Sequence, residues 1–422
     1  MKRIRIAVSS YPIIPVLLLA FTCAAATASE AAPKVTVLTA SAADGEFSSP
    51  FTGFGAAVSI HADTALVGIP LYLPSEDVPT PSGRVGIFTL KRSTGEWIRS
   101  GSLDVSHPRP NEQMFGSSVV LRDKDAAVGS FGAVRIYART LQRWHVIATI
   151  TSRSANRILG PVLAYDGDTL AVEVSDSGSL QTLVYVYRIS HQGQVHLAVK
   201  LRAPRGDAGA FGNALALDHD TLVVGSPGGY SVSSIFPPGA AYVYSQARGT
   251  WRLTQTLTGA EATQNSDFGA AVAIQDRVIL VGAPYDDLIS DNDYTRAAGA
   301  VYVFCRDHHG PWYQTQRVRP TDRDEGVNSF RGFGWSLAMA GDRVAIGAPL
   351  TIDAFQSELG QTDIYRWQGR NLAFEQRLQV SAASPGFALS LWRDRLMIGV
   401  DTFVHAPINH ALIVDFGRTA HP

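Results

Sequence analysis

Cysteine is nearly absent: Cys23 and Cys305 are the only two in 422 residues. Cys23 falls inside a leader-like segment, so the chain beyond it can form no internal disulfide and must draw its stability from a large core. Cys305 has no activating pattern around it and reads as a small buried apolar residue. Charge is sparse and balanced, with Asp, Glu, Lys and Arg making up 17% of the residues and a formal net charge of −1. That excludes a disordered polyelectrolyte, and the scatter of Lys and Arg without a basic stripe argues against a nucleic-acid partner. Long hydrophobic runs are missing too. The stretch 16–21 is too short to span a bilayer, and nothing of spanning length follows it. Nucleophile and metalloprotease signatures (GxSxG, HExxH) are absent, and His308-His309 has no ligand partner at metal spacing.

Residues 1–28 read as a secretory signal peptide. Lys2, Arg3 and Arg5 lead, the apolar run follows, and Ala26-Thr27-Ala28 offers small residues for cleavage. Removal of those three cations takes the formal charge from −1 to −4. The expected location is the periplasm or the medium, with no transmembrane segment after cleavage. Lipidation at Cys23 is not expected, because Phe21-Thr22 is a poor match to the small residues such a site needs.

The most informative pattern is a repeat. Seven glycines each precede a short apolar stretch, and thirteen residues later a second glycine closes the next one: Gly55 and Gly68, Gly116 and Gly129, Gly212 and Gly225, Gly269 and Gly282, Gly334 and Gly347, Gly386 and Gly399, with Gly160 and Glu173 as the degenerate copy. In the fifth copy Phe268-Gly269-Ala270-Ala271-Val272-Ala273-Ile274 predicts a first strand, Asp276-Arg277 a turn, and Val278-Ile279-Leu280-Val281 a second strand ended by Gly282-Ala283-Pro284. Residues 299–304 predict a third strand and 312–318 a fourth. Third strands end on aromatics (Phe88, Tyr137, Tyr187, Tyr244, Phe304, Tyr365, Phe416), and fourth strands tend to begin with one (Trp97, Trp144, Trp251, Trp312, Phe374). Such rings suit the wide outer part of a wedge between sheets.

Four antiparallel strands per unit, with no unit able to bury its own core, indicate an all-β chain folded as one seven-bladed β-propeller over residues 29–422. The blades are expected near 54–105, 115–152, 159–203, 211–259, 268–320, 333–381 and 385–416. The seventh supplies only three strands, whereas Lys34-Val35-Thr36-Val37-Leu38-Thr39-Ala40 is a fourth strand without a blade. Pairing of 34–41 into the seventh blade would cover the open edge and lock the ring.

The sequence Phe-Gly, apolar strand, Asp turn, apolar strand, Gly-Ala-Pro, clearest in Phe268-Gly269 with Gly282-Ala283-Pro284 and Phe333-Gly334 with Gly347-Ala348-Pro349, resembles the FG-GAP repeat. That family builds the seven-bladed propeller of integrin α subunits and of many secreted bacterial proteins. The resemblance implies a propeller whose ligands are met on one face. The calcium loop DxDxDGxxD that often accompanies the family does not fit here: the corresponding turns are reduced to pieces such as Asp166-Gly167-Asp168 and Asp218-His219-Asp220. No cofactor is expected.

Propeller topology puts the turns between strands one and two and between three and four on one face. The longer connections all fall on the other: 71–82, 228–238, 285–298 and 350–361, joined by 106–114, 261–267 and 321–331. Long loops on a rigid scaffold are where binding usually lives. Tyr285, Asp286, Asp287, Asp291 and Asp293, with Asp322, Asp324 and Glu325 from the next long connection, are the candidate partner-binding residues. Their carboxylates would meet a basic surface, or calcium if any metal, although their spacing matches no calcium motif. The expectation is a monomeric, non-enzymatic adhesion or recognition scaffold for an extracellular or envelope protein or glycan. The alternative is a propeller-based extracytoplasmic hydrolase or lyase, which would need carboxylates, a metal cluster or an activated nucleophile in the central channel.

Overall fold

The computed structural model describes residues 3–6, 33–40, 53–71, 83–105, 112–141, 143–152, 157–176, 179–207, 209–228, 237–286, 298–308, 310–320, 332–349, 360–380, 384–401 and 410–417. They form seven sheets, each built on four antiparallel strands, and, among the described residues, no helix. The sheets are the seven expected blades. Blade five consists of Ala271–Gln275, Val278–Ala283, Ala300–Arg306 and Trp312–Val318, within three residues of the strands read from the sequence. In blades one to six the fourth strand pairs with the third through a register shift beside the terminal aromatic, as between Val303 and Phe304 or Ile364 and Tyr365. An extra residue there bends the outer strand and adds twist where the blade is widest.

The ring closes as expected. Lys34–Thr39 pairs antiparallel with His410–Asp415, from Lys34 opposite Asp415 to Thr39 opposite His410, and completes the sheet begun by Ser384–Trp392 and Arg395–Asp401. This pair has no register shift. A strand outside the repeat, Arg3–Ile6, runs parallel to Asn371–Val380 and makes blade six a five-stranded sheet. Outer edges present unpaired backbone groups that any extended segment can join.

The core is distributed between blades. Among the described residues seven apolar clusters are present, and each contains buried residues from two neighbouring sheets, the last joining Leu38, Met397 and Ile413 of blade seven to Phe54, Val67 and Phe88 of blade one. The third-strand aromatics are all buried, as expected. The phenylalanines of the Phe-Gly pairs meet them edge to face, with centroids 6.3 Å apart for Phe54 and Phe88 and 6.2 Å for Phe268 and Phe304.

The thirteen-residue interval has a geometric cause. Gly269 N donates to Gly282 O at 2.9 Å, fixing the two glycines across one hairpin. Gly282 in turn lies so close to the next blade that a methyl group on it would sit 2.0 Å from Gly334 O. The same approach recurs from Gly68 to Gly116, Gly129 to Gly160, Gly225 to Gly269, Gly347 to Gly386 and Gly399 to Gly55. Backbones thus touch near the axis at six of seven blade junctions, and only glycine permits it. At the seventh, Glu173 takes the glycine's place, and its side chain lies against Gly212.

Among the described residues no helix is long and apolar enough to cross a membrane.

Candidate functional site

Of the eight candidate residues, Asp287, Asp291, Asp293, Asp322, Asp324 and Glu325 lie outside the described residues. Tyr285 is half-buried, and its backbone N–H donates to Ser266 O at 3.2 Å. Asp286 corrects the sequence reading: it is fully buried. Its Oδ2 accepts from Tyr302 Oη at 2.6 Å and Arg317 Nη2 at 2.7 Å, and its Oδ1 from Thr263 Oγ1 at 3.1 Å and Thr263 N at 3.3 Å. A carboxylate so enclosed is a structural anchor, because its removal from water is offset by charge-assisted bonds such as these. Burial and the neighbouring Asp286 push the Tyr302 hydroxyl far above its ordinary range, so it remains a donor. The backbone of Asp286 also accepts from Gly299 N at 3.1 Å. Residues 286 and 299 therefore clamp the base of the long connection between them. Sequence patterning marked the acidic run but could not separate its first buried member from the rest.

Related anchors stand in other blades. Arg135 grips Glu112 through two bonds of 2.8 Å, and Arg377 grips Asp363 at 2.6 and 2.7 Å, with both members of the second pair buried. Ser226 Oγ donates to Asp207 at 2.8 Å.

The opposite face, read from the sequence as tight turns only, carries a second arrangement. Side chains at the turns reach the next blade: Arg122 Nη1 to Gly167 O at 2.7 Å, Gln275 Nε2 to Gly341 O at 3.4 Å, and Arg395 Nη1 to Ala62 O at 3.0 Å. Asp166 Oδ2 accepts from His219 N at 2.8 Å, and Asp218 Oδ2 from Asp276 N at 2.5 Å. Buried Arg343 links blade six to Asp394 of blade seven and covers the Phe416 ring at 4.4 Å. Ligand atoms of Asp166, Asp218 and His219 lie within 4.8 Å of one another. The remaining oxygens of that cluster are engaged as well, Asp218 Oδ1 by His219 Nδ1 at 2.7 Å and Asp166 Oδ1 by Arg122 at 3.3 Å. All four carboxylate oxygens already fasten turns, and the Asp218 bond raises the affinity of exposed His219 for its proton.

Polar groups on the first strands are also committed. Ser118 Oγ donates to Gly160 O at 2.6 Å and Asn213 Nδ2 to Ala270 O at 3.3 Å, while Ser59 Oγ accepts from Leu121 N at 2.9 Å and Ser390 Oγ from Ile60 N at 3.1 Å. Each bond crosses to the neighbouring blade. Between blades five and six the turn face opens into a cleft of about 330 Å³, whose lining includes Arg277, Arg306, Tyr313, Trp367 and Arg370.

With seven sheets in a closed ring, a family model for the FG-GAP repeat matches residues 251–304, which run from the last strand of blade four through the Phe268-Gly269 and Gly282-Ala283-Pro284 of blade five. The chain is a seven-bladed β-propeller that carries an FG-GAP repeat at 251–304. Among curated proteins none matches this chain. Solved structures similar to it include a protein from Lactobacillus plantarum at 14% identity and TM-score 0.46, covering 79% of this chain and 86% of that one. Two others carry the provisional name 6-phosphogluconolactonase. One, from Bacteroides fragilis, is 10% identical with TM-score 0.48 and coverage of 79% and 86%; the other, from Bacteroides uniformis, is 9% identical with TM-score 0.46 and coverage of 78% and 86%.

Proposed function

We infer that this FG-GAP propeller is a non-enzymatic recognition scaffold that acts outside the cytoplasm and holds a protein or glycan partner on its loop-rich face. The observation that carries the reading is the clamp at the base of residues 287–298. Asp286 is tied to four donors, and its carbonyl to Gly299, so the connection springs from a fixed point on blade five. Rigid support of a long loop lowers the ordering cost of binding. The serines and asparagine of the first strands support the non-enzymatic reading, because hydroxyls spent on neighbouring backbone are not poised as nucleophiles.

Export rests on the leader-like residues 1–28. Cleavage after Ala28 would remove Arg3–Ile6 and leave the closing strand Lys34–Thr39 in place. N-terminal sequencing of the protein from periplasm and medium should therefore start at Ser29, and an intact Met1 in both fractions would reject the export reading.

The face assignment is tested by replacing residues 287–297 with a Gly-Ser segment of equal length. The parent protein should retain a partner from envelope extract or culture supernatant, with and without chelator, and the replacement should lose it while melting at the same temperature. Equal retention by both proteins would remove the loop-rich face from the function.

A further inference from the structure

The cleft between blades five and six is built differently from the rest of the turn face. Around the other junctions arginines and aspartates bond to the neighbouring turn, as Gln275 does to Gly341 at this one. Here two arginines are left over. Among the described residues Arg277 and Arg306 make no side-chain hydrogen bond or ion pair, and Nε of Arg306 is buried without a partner. Arg306 is held in place from beneath, its guanidinium 4.5 Å over the Trp312 ring and its backbone N–H on Arg277 O at 3.1 Å. Burial lowers the affinity of Arg306 for its proton, with Asp218 opposing that shift and Arg277 adding to it, and an anion bound between the two arginines would offset the cost.

The charge around the opening is one-sided. Arg370 is satisfied within the rim, bonding the Tyr313 hydroxyl and Asp307 Oδ1, the latter at 3.0 Å. Tyr313 Oη donates to Asp307 Oδ2 at 3.2 Å, so Asp307 is neutralised by its own neighbours. Of the lining charges this leaves Arg277 and Arg306 against Asp276 alone. The walls are aromatic: Tyr313 is 36% exposed and Trp367 half-buried. A volume near 330 Å³ is at the lower end of small-ligand sites.

We propose that this cleft is a binding site for a sugar ring bearing an oxyanion, with Arg277 and Arg306 holding the charged group and Tyr313 and Trp367 lying against the ring. Guanidinium forks match carboxylate and sulfate oxygens in pairs, and aromatic faces accept the apolar side of a pyranose. The site lies on the face opposite the clamped loop and does not depend on the scaffold reading above.

The experiment is calorimetric titration of the purified protein with four probes: trigalacturonate, glucose 6-sulfate, maltotriose and sodium sulfate. At least one charged sugar should bind more tightly than both maltotriose and sodium sulfate, and the choice between carboxylate and sulfate is read from which arm responds. Arg277→Gln and Arg306→Gln should each weaken that binding about tenfold or more. Arg248→Gln, on an exposed turn of blade four, should leave it unchanged, and melting curves check that all three variants fold. Absence of binding by both charged sugars, equal binding of maltotriose or of sodium sulfate, or undiminished affinity in Arg277→Gln would each overturn the proposal.

Discussion

At the residue scale, Glu173 is the informative exception. It stands where six blades have the second glycine of the pair, is only 7% exposed, and burial pushes its carboxyl up to about 7 against a lowering contribution from Ser175. A carboxyl whose folded value exceeds its unfolded one stabilises the fold at low pH and loses that contribution as pH rises through about 7. Ionised Glu173 therefore costs on the order of 3 kcal/mol above neutrality. Glu173→Gln should raise the melting temperature at pH 8 and leave it nearly unchanged at pH 4.5; equal melting of both proteins at pH 8 would refute the assignment. Buried His410 has the opposite sign, its imidazole lowered to about 4 by desolvation, so its contribution is complete above pH 6.5 and fades as pH falls. The sequence disclosed that position 173 was irregular, because the glycine was missing. Which way its side chain turns, and that Asp286 points inward, depend on blade neighbours distant in sequence.

At the element scale, hairpin and strand positions were legible because period-two patterning, turn residues and glycine spacing all agree, as in blade five. The turn-face bonds between blades were not legible. Arg122, Asp166, Asp218 and Gln275 are different residue types performing one task, each finding a backbone group of the following turn, so no motif marks them. The close approach of paired glycines yields a sharp expectation. Gly282→Ala should destabilise the protein by about 3 kcal/mol or more, since the added methyl meets backbone rather than a movable side chain. Gly341→Ala serves as the comparison: nothing lies within 4 Å of its added methyl, so only the strain of φ +61° remains. Chemical denaturation of both variants measures the difference, and similar losses would show that backbone contact between blades is not what the glycines protect.

At the scale of the whole molecule, ring closure by 34–40 was legible because the seventh blade visibly lacked a strand and the start of the chain had one to spare. Deleting Lys34–Thr39 removes a strand paired along its full length and buried Leu38 from the last cluster, so the melting temperature should fall by about 10 °C or more. A change within error would mean that the blade holds without it. The pairing of Lys34 with Asp415 also orders events in time. Synthesis makes residues 34–39 before the other strands of all seven blades and their partner 410–415 after them, so the early segment must wait, unmatched, while the blades between emerge. A ring of this design cannot snap shut around an unfinished product, and a chain truncated late is left with a permanently open seam.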